Sequence, residues 1–111
     1  MVAGDFDGDG RAEVCVFYKY ASATIGVWLF NWDGASMTPT PTKVYTNSSW
    51  AWDNSKLTAG DFDGDGRAEV CVFYKYASAT MGVWLFNWDG TSLTPTPTKV
   101  YTNSSWAWDN S

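Results

Sequence analysis

An all-β fold is predicted from three observations. Residues 1–55 align with 57–111 without a gap and differ only at Met1/Leu57, Val2/Thr58, Ile25/Met81, Ala35/Thr91 and Met37/Leu93. The apolar runs are short and apolar on both faces, as strands sandwiched between neighbours are. Glycine, proline and β-branched residues speak against any long helix. A period of 56 residues suits a four-stranded β-propeller blade better than a helical repeat. The expected architecture is two four-stranded blades per chain, residues 1–55 and 56–111, the first blade having a truncated first strand. Such blades close into a six- or eight-bladed propeller by association of copies.

Each repeat contains the same elements in order. Strand A is Val2-Ala3-Gly4, with its longer copy Lys56-Leu57-Thr58-Ala59-Gly60. An acidic loop follows. Strand B spans about Glu13 to Tyr20, with Val14, Val16 and Tyr18 on one face and Cys15 and Phe17 on the other. Ala21 to Thr24 form a turn. Strand C spans about Ile25 to Trp32, where Val27 and Leu29 oppose Trp28 and Phe30. Asp33-Gly34 is a hairpin signal. Strand D starts in the run Thr38-Pro39-Thr40-Pro41-Thr42 and continues through Tyr45 and Thr46; its prolines confine it to an edge. Asn47 to Ser55 lead to the next strand A.

Two blades cannot close a ring, and each end of the pair would expose a large aromatic face. Ser111 matches Ser55 and Met1 matches Leu57, so the next chain's Met1 would follow Ser111 in register with only the equivalent of Lys56 missing. The expected partner is the chain itself, as a cyclic homotrimer or homotetramer. Three chains would supply six blades and four would supply eight.

Composition excludes several classes. The formal charge is −5 and no basic run exists, so nucleic acid is not expected as a partner. No apolar run is long enough to span a membrane. The chain starts Met1-Val2-Ala3 and enters the acidic loop at once, so no signal peptide is expected in it. Cys15 and Cys71 occupy equivalent strand positions, too far apart in adjacent sheets for a disulfide, and read as reduced, buried small hydrophobes.

The acidic loops carry the chemistry. Asp5, Asp7 and Asp9 alternate, Gly10 follows, and Glu13 closes the set; Asp61, Asp63, Asp65, Gly66 and Glu69 repeat it. An apolar core has no use for such a cluster, but calcium takes about six to eight oxygen ligands. Alternate side chains of a tight loop turn inward, and the glycine allows the bend that brings in the carbonyl of Arg11, or of Arg67 in the copy. The closing acid comes too early for an EF-hand. The competing reading is a pair of acidic turns. The loops hold 4 + 4 = 8 of the 12 acids, and two calcium ions would move the charge from −5 to −1. The expected cofactor is Ca2+, about two per chain.

The run Gly-Asp-Phe-Asp-Gly-Asp-Gly-Arg-Ala-Glu before a Val-rich strand resembles the FG-GAP or VCBS repeat, found in integrin-α-like propellers and in some bacterial and fungal propeller proteins, lectins among them. The resemblance covers nearly the whole chain and implies calcium on the A–B loops and, most often, a seven-bladed ring. A two-blade chain departs from that count. Near-identical copies and an abrupt start look like an excised or designed fragment of a propeller lectin.

Trp50 and Trp52, copied as Trp106 and Trp108, precede Asp53 and Asp109. Exposed indoles beside Asp and Asn suit stacking on a sugar; the preferred reading is packing in the seam between blades. The Trp-Ala-Trp spacing puts both rings on one side of an extended segment, with one fate for both. Trp28, Trp32, Trp84 and Trp88 read as core. Tyr18 and Tyr20 are placed at a blade interface, where their hydroxyls need partners. The function expected first is a calcium-binding propeller unit that self-assembles as a structural scaffold. The alternative is a multivalent carbohydrate-binding lectin with inter-blade sites at Trp50, Trp52, Asp53, Trp106, Trp108 and Asp109. No enzyme is expected: there is no histidine, and outside the loops only Asp33 and Asp53 remain in each repeat.

Overall fold

The computed structural model describes residues 1–21, 23–39, 45–77, 80–90, 92–95, 101–105 and 108. These form two antiparallel sheets. The first contains β1 (Val2–Gly4), β2 (Glu13–Ala21), β3 (Thr24–Trp32), β4 (Met37–Pro39) and β5 (Tyr45–Asn47). The second contains β6 (Ser55–Gly60), β7 (Glu69–Ala77), β8 (Thr80–Trp88), β9 (Leu93–Pro95) and β10 (Tyr101–Asn103). A three-residue 3-10 turn, Trp52–Asn54, joins the sheets. No helix among the described residues is long and apolar enough to cross a membrane.

Strands A, B and C lie where the sequence puts them. β1 pairs β2, and β2 pairs β3 from Val14↔Phe30 to Ala21↔Thr24, with a bulge between Lys19 and Ala21. The β3–β4 hairpin turns at Gly34, whose φ of 99° only glycine adopts without strain, and Asp33 N donates to Ser36 O at 3.1 Å. The outer strand needs correction: it is broken in two. β4 pairs one end of β3 (Phe30↔Pro39) and β5 the other (Val27↔Tyr45). The register sum rises from 69 to 72, so β5 is offset by three residues along β3 relative to β4. β9 and β10 repeat the break on β8, with sums of 181 and 184. Proline has no N–H for the ladder, so it is accommodated on this edge. Residues 40–44, the middle of the expected strand, and Trp106 and Asp109 lie outside the described residues.

The core is the seam between the sheets. Phe17, Tyr45 and Trp50 of the first repeat meet Tyr74, Trp84 and Phe86 of the second. Ring centroids are 4.7 Å apart for Trp50–Tyr74, 5.2 Å for Phe17–Phe86 and 5.5 Å for Tyr45–Phe86, all edge-to-face. Such pairs add about 0.5–1.5 kcal/mol each beyond burial. Trp50 is further fixed by Nε1 donating to Ser55 Oγ at 2.7 Å and by its N–H donating to Ala23 O at 2.9 Å. Gly4 lets the sheets approach: a Cβ there would lie 2.7 Å from Ala68 Cβ.

The seam corrects two expectations. Trp50 and Trp52 do not share one fate. Trp50 is buried in the seam, whereas the 3-10 turn starting at Trp52 swings that ring out, leaving it 41% exposed with Nε1 donating to Phe17 O. Trp108, the copy of Trp52, is buried beneath Lys56, whose Nζ lies 4.7 Å from the ring centroid. Lys56 has no counterpart in the first repeat. Trp84 and Trp88 do pack on the core, but Trp28 is half-buried and Trp32 exposed, because their face of the first sheet has no sheet against it. Both cysteines are free and buried, as expected.

Trp50 places one ring against three others. Trp50→Ala should therefore lower the unfolding free energy by about 3–5 kcal/mol in urea denaturation; a loss below about 1 kcal/mol would contradict its place as the plug of the seam.

Candidate metal centre

Both acidic loops fold around their own carboxylates. Asp5 Oδ1 accepts from Gly8 N at 2.8 Å and Asp9 N at 3.1 Å, and its Oδ2 accepts from Gly10 N at 2.9 Å. Asp7 Oδ1 accepts from Asp9 N, and Asp9 Oδ1 from Arg11 N. These turns need φ of 81° at Gly8 and 89° at Gly10, which a side chain would strain. Glu13, the first residue of β2, reaches back across the loop. Its Oε2 accepts from Phe6 N at 2.8 Å and Asp7 N at 3.3 Å. The second loop repeats every bond: Asp61 accepts from Gly64, Asp65 and Gly66, and Glu69 Oε2 from Phe62 N at 2.7 Å and Asp63 N at 3.3 Å.

The result is a cluster of four carboxylates in each loop. One oxygen from each of Asp5, Asp7, Asp9 and Glu13 lies within 4.8 Å of the others, and Asp61, Asp63, Asp65 and Glu69 do the same. Either set could hold a metal ion. The side-chain cations nearby are peripheral: Arg11 reaches Asp9 at 3.6 Å and Arg67 reaches Asp65 at 3.6 Å, both pairs well exposed. Such contacts leave most of the cluster's charge uncompensated. The donor set is all oxygen, with no histidine and with the cysteines buried in the strands. It fits a hard divalent cation.

Electrostatics point the same way. Burial, with repulsion from Asp7 and Asp9 behind it, pushes the Glu13 carboxyl above its ordinary value. Burial and the charges of Asp63 and Asp65 do the same for Glu69, and burial with Asp9 and Asp5 does so for Asp7. Elsewhere, burial pushes the Cys15 thiol up to about 12, so it is no nucleophile at neutral pH.

The two loops also touch. Ala68 N donates to Asp5 O at 2.6 Å, and a Cβ on Gly8 would lie 2.7 Å from Arg67 Cγ. The first loop is thus seated on the end of the second. The sequence carried no signal for this contact, which depends on how the sheets stack.

Of the other expected ligand residues, Trp50, Trp52 and Asp53 are near one another in chain but not in role. Asp53 pairs with Lys19 at 2.9 Å on the surface, where such a pair is worth about 1 kcal/mol at most. A cavity of about 550 Å³ opens beside Trp50 at the seam. Tyr45, Asn47 and Ser49 line it from the first repeat, and Tyr74, Tyr76, Trp84 and Pro95 from the second. Trp52 and Asp53 are not in its wall. Tyr74 and Tyr76 are the copies of Tyr18 and Tyr20, which the sequence places at a blade interface; Tyr45 and Asn47 were missed as lining because they converge on them only once the sheets are stacked.

The raised carboxyls give a pH dependence in metal-free buffer. The folded chain holds these protons more tightly than the unfolded chain, so ionised Glu13 and Glu69 each cost stability above their folded pKa. That cost fades as pH falls through the folded pKa and is gone below the ordinary value of 4.5. On acidification from neutral pH, wild type should therefore gain melting temperature relative to Glu13→Gln/Glu69→Gln. A constant difference would contradict the shifts.

A family model described as the FG-GAP-like repeat matches residues 5–72, from the first acidic loop through β2 to β6 and the second loop into β7. No curated protein and no solved structure matches the chain. Matched over well more than half its length, on the loops that gather its carboxylates, the chain belongs to the FG-GAP-like repeat family.

Proposed function

We propose that the chain is a calcium-binding β-propeller repeat unit that assembles with copies of itself into a closed ring and serves as a structural scaffold. The observation that carries the metal half is the pair of four-carboxylate clusters. Calcium is the favoured ion because its oxygen shell is loose and takes several carboxylates, whereas Mg2+ demands a tight octahedron and keeps its waters. In each loop the three aspartates and the glutamate would hold the ion, joined by the carbonyl of Arg11 or Arg67. Glu13 and Glu69 each accept both loop N–H groups through Oε2, which leaves Oε1 for the cation. Bound calcium would neutralise the cluster and stiffen the A–B connection; the reading assigns no catalysis. Three chains would give a six-bladed ring and four an eight-bladed one.

An ion bound only by the folded chain stabilises it in proportion to ln(1 + [L]/Kd). Chelation should lower the melting temperature, and Asp7→Ala should lower it even with calcium present. Titration calorimetry should count about two ions per chain, and magnesium should compete poorly. Melting curves unmoved by both chelation and Asp7→Ala would sink the metal reading.

The seam cavity favours a second reading, a carbohydrate-binding lectin. It offers indole and phenol faces for the apolar side of a sugar ring, with the Asn47 amide, the Ser49 hydroxyl and tyrosine hydroxyls for its OH groups. One site per seam would give avidity in a ring. The expected outcome is glycan-array binding by wild type that is lost in Tyr76→Ala, whose ring lies in the wall and is half exposed. Silence across a broad array would reject the lectin reading.

A further inference from the structure

Identical side chains in the two repeats have different burial. Phe6 is 0% exposed and its copy Phe62 is 52% exposed. Phe17, Val27 and Leu29 are buried, while Phe73, Val83 and Leu85 are only half-buried. On the opposite face the order reverses: Val72 and Phe86 are buried, while Val16 and Phe30 are half-buried and Tyr18 is 54% exposed. Since the residues are the same, the difference comes only from what lies against them. The seam covers one face of each sheet and leaves the opposite face of each open.

The open face of the first sheet forms an apolar groove of about 430 Å³, lined by Val16, Tyr18, Tyr20, Trp28, Phe30 and Pro39. These are the copies of Val72, Tyr74, Tyr76, Trp84, Phe86 and Pro95. Tyr74, Trp84 and Phe86 receive Trp50, and Phe86 also receives Phe17 and Tyr45. Among the described residues the matching donors on the second sheet are Phe73 and Tyr101, the latter 50% exposed; Trp106, the copy of Trp50, lies outside them.

We infer that the groove is the acceptor half of a head-to-tail interface, and that its occupant is the Phe73–Tyr101 face of a second copy of this chain. The warrant is the internal seam, in which the same donor residues already occupy the same acceptor residues. The inference deepens the ring proposal: it names the two faces and their polarity. A heterologous contact of this kind leaves one donor and one acceptor open at every stage until a ring closes. Each junction also completes a cavity. Tyr101, Asn103 and Ser105 of one copy would stand where Tyr45, Asn47 and Ser49 stand in the seam, opposite Tyr20, Trp28 and Pro39 of the next copy. Without the second copy that cavity has one wall. The metal loops would join in the same way, the Asp61 carbonyl accepting from Ala12 N of the next copy as Asp5 O accepts from Ala68 N.

The test uses two variants at exposed positions. Tyr18→Arg disables the acceptor and leaves the donor; Tyr101→Arg disables the donor and leaves the acceptor. Native mass spectrometry and sedimentation velocity, both in calcium, should give a three- or four-chain wild type and monomers for each variant. Mixing the variants should yield a one-to-one dimer that grows no further, because its outer faces are both disabled. A monomeric wild type, a variant that keeps the wild-type mass, or a mixture that stays monomeric would each overturn the inference. Calcium uptake and circular dichroism on the monomeric variants separate the failures. Folded variants that bind calcium, with a monomeric wild type, reject the interface alone; absence of calcium uptake in every form rejects the metal reading.

Discussion

The structure depends on one constraint: two sheets of nearly the same sequence can bury aromatic faces only against each other, and stacking them satisfies one face of each. Trp50 enters between Tyr74, Trp84 and Phe86, and the other described core contacts gather around it. The strands are apolar on both sides, so a stack of two leaves two faces bare by geometry. Burial in this chain is therefore a property of position in the stack. Phe6 and Phe62 sit in identical loops and differ only in whether a neighbour stands beside them.

The acidic loops are built to the opposite logic, since each satisfies itself. The backbone N–H groups at the tips point at Asp5 and Asp61, and Glu13 and Glu69 tie the loop back to the start of the next strand. The loop is thus held in shape by the same carboxylates that crowd into a negative cluster. Local hydrogen bonds fix the fold of the loop; the crowding leaves it short of positive charge. The arginines at 3.6 Å are too exposed to supply that charge.

What was legible in the sequence was what the repeat and local chemistry dictate. The limits of strands A, B and C, the acidic quartets and the edge position of Pro39 follow from alternation, spacing and the missing proline N–H. What was not legible depends on contacts distant in sequence. Trp50 and Trp52 read as a pair because an extended segment would align them, but a 3-10 turn begins at Trp52 and parts them. The outer strand is described as two segments whose registers on β3 differ by three residues, an offset that local alternation does not encode. Trp28 and Trp32 read as core because hydropathy cannot tell which of two identical faces receives a neighbour.

The seam and the loops are not independent. Asp5 O accepts the N–H of Ala68, which precedes Glu69, and the stem of Arg67 lies over Gly8. Phe6, whose N–H is held by Glu13, is itself a core residue of the seam. One short segment, residues 5–8, therefore belongs at once to a carboxylate cluster and to the packing between sheets. Any change in the charge of that cluster acts on backbone that the second sheet also holds. Charge in the loops and stacking of the sheets are two terms of one equilibrium. Glycine at positions 4 and 8 is what allows it, because a methyl group at either would come within 2.7 Å of the opposite repeat.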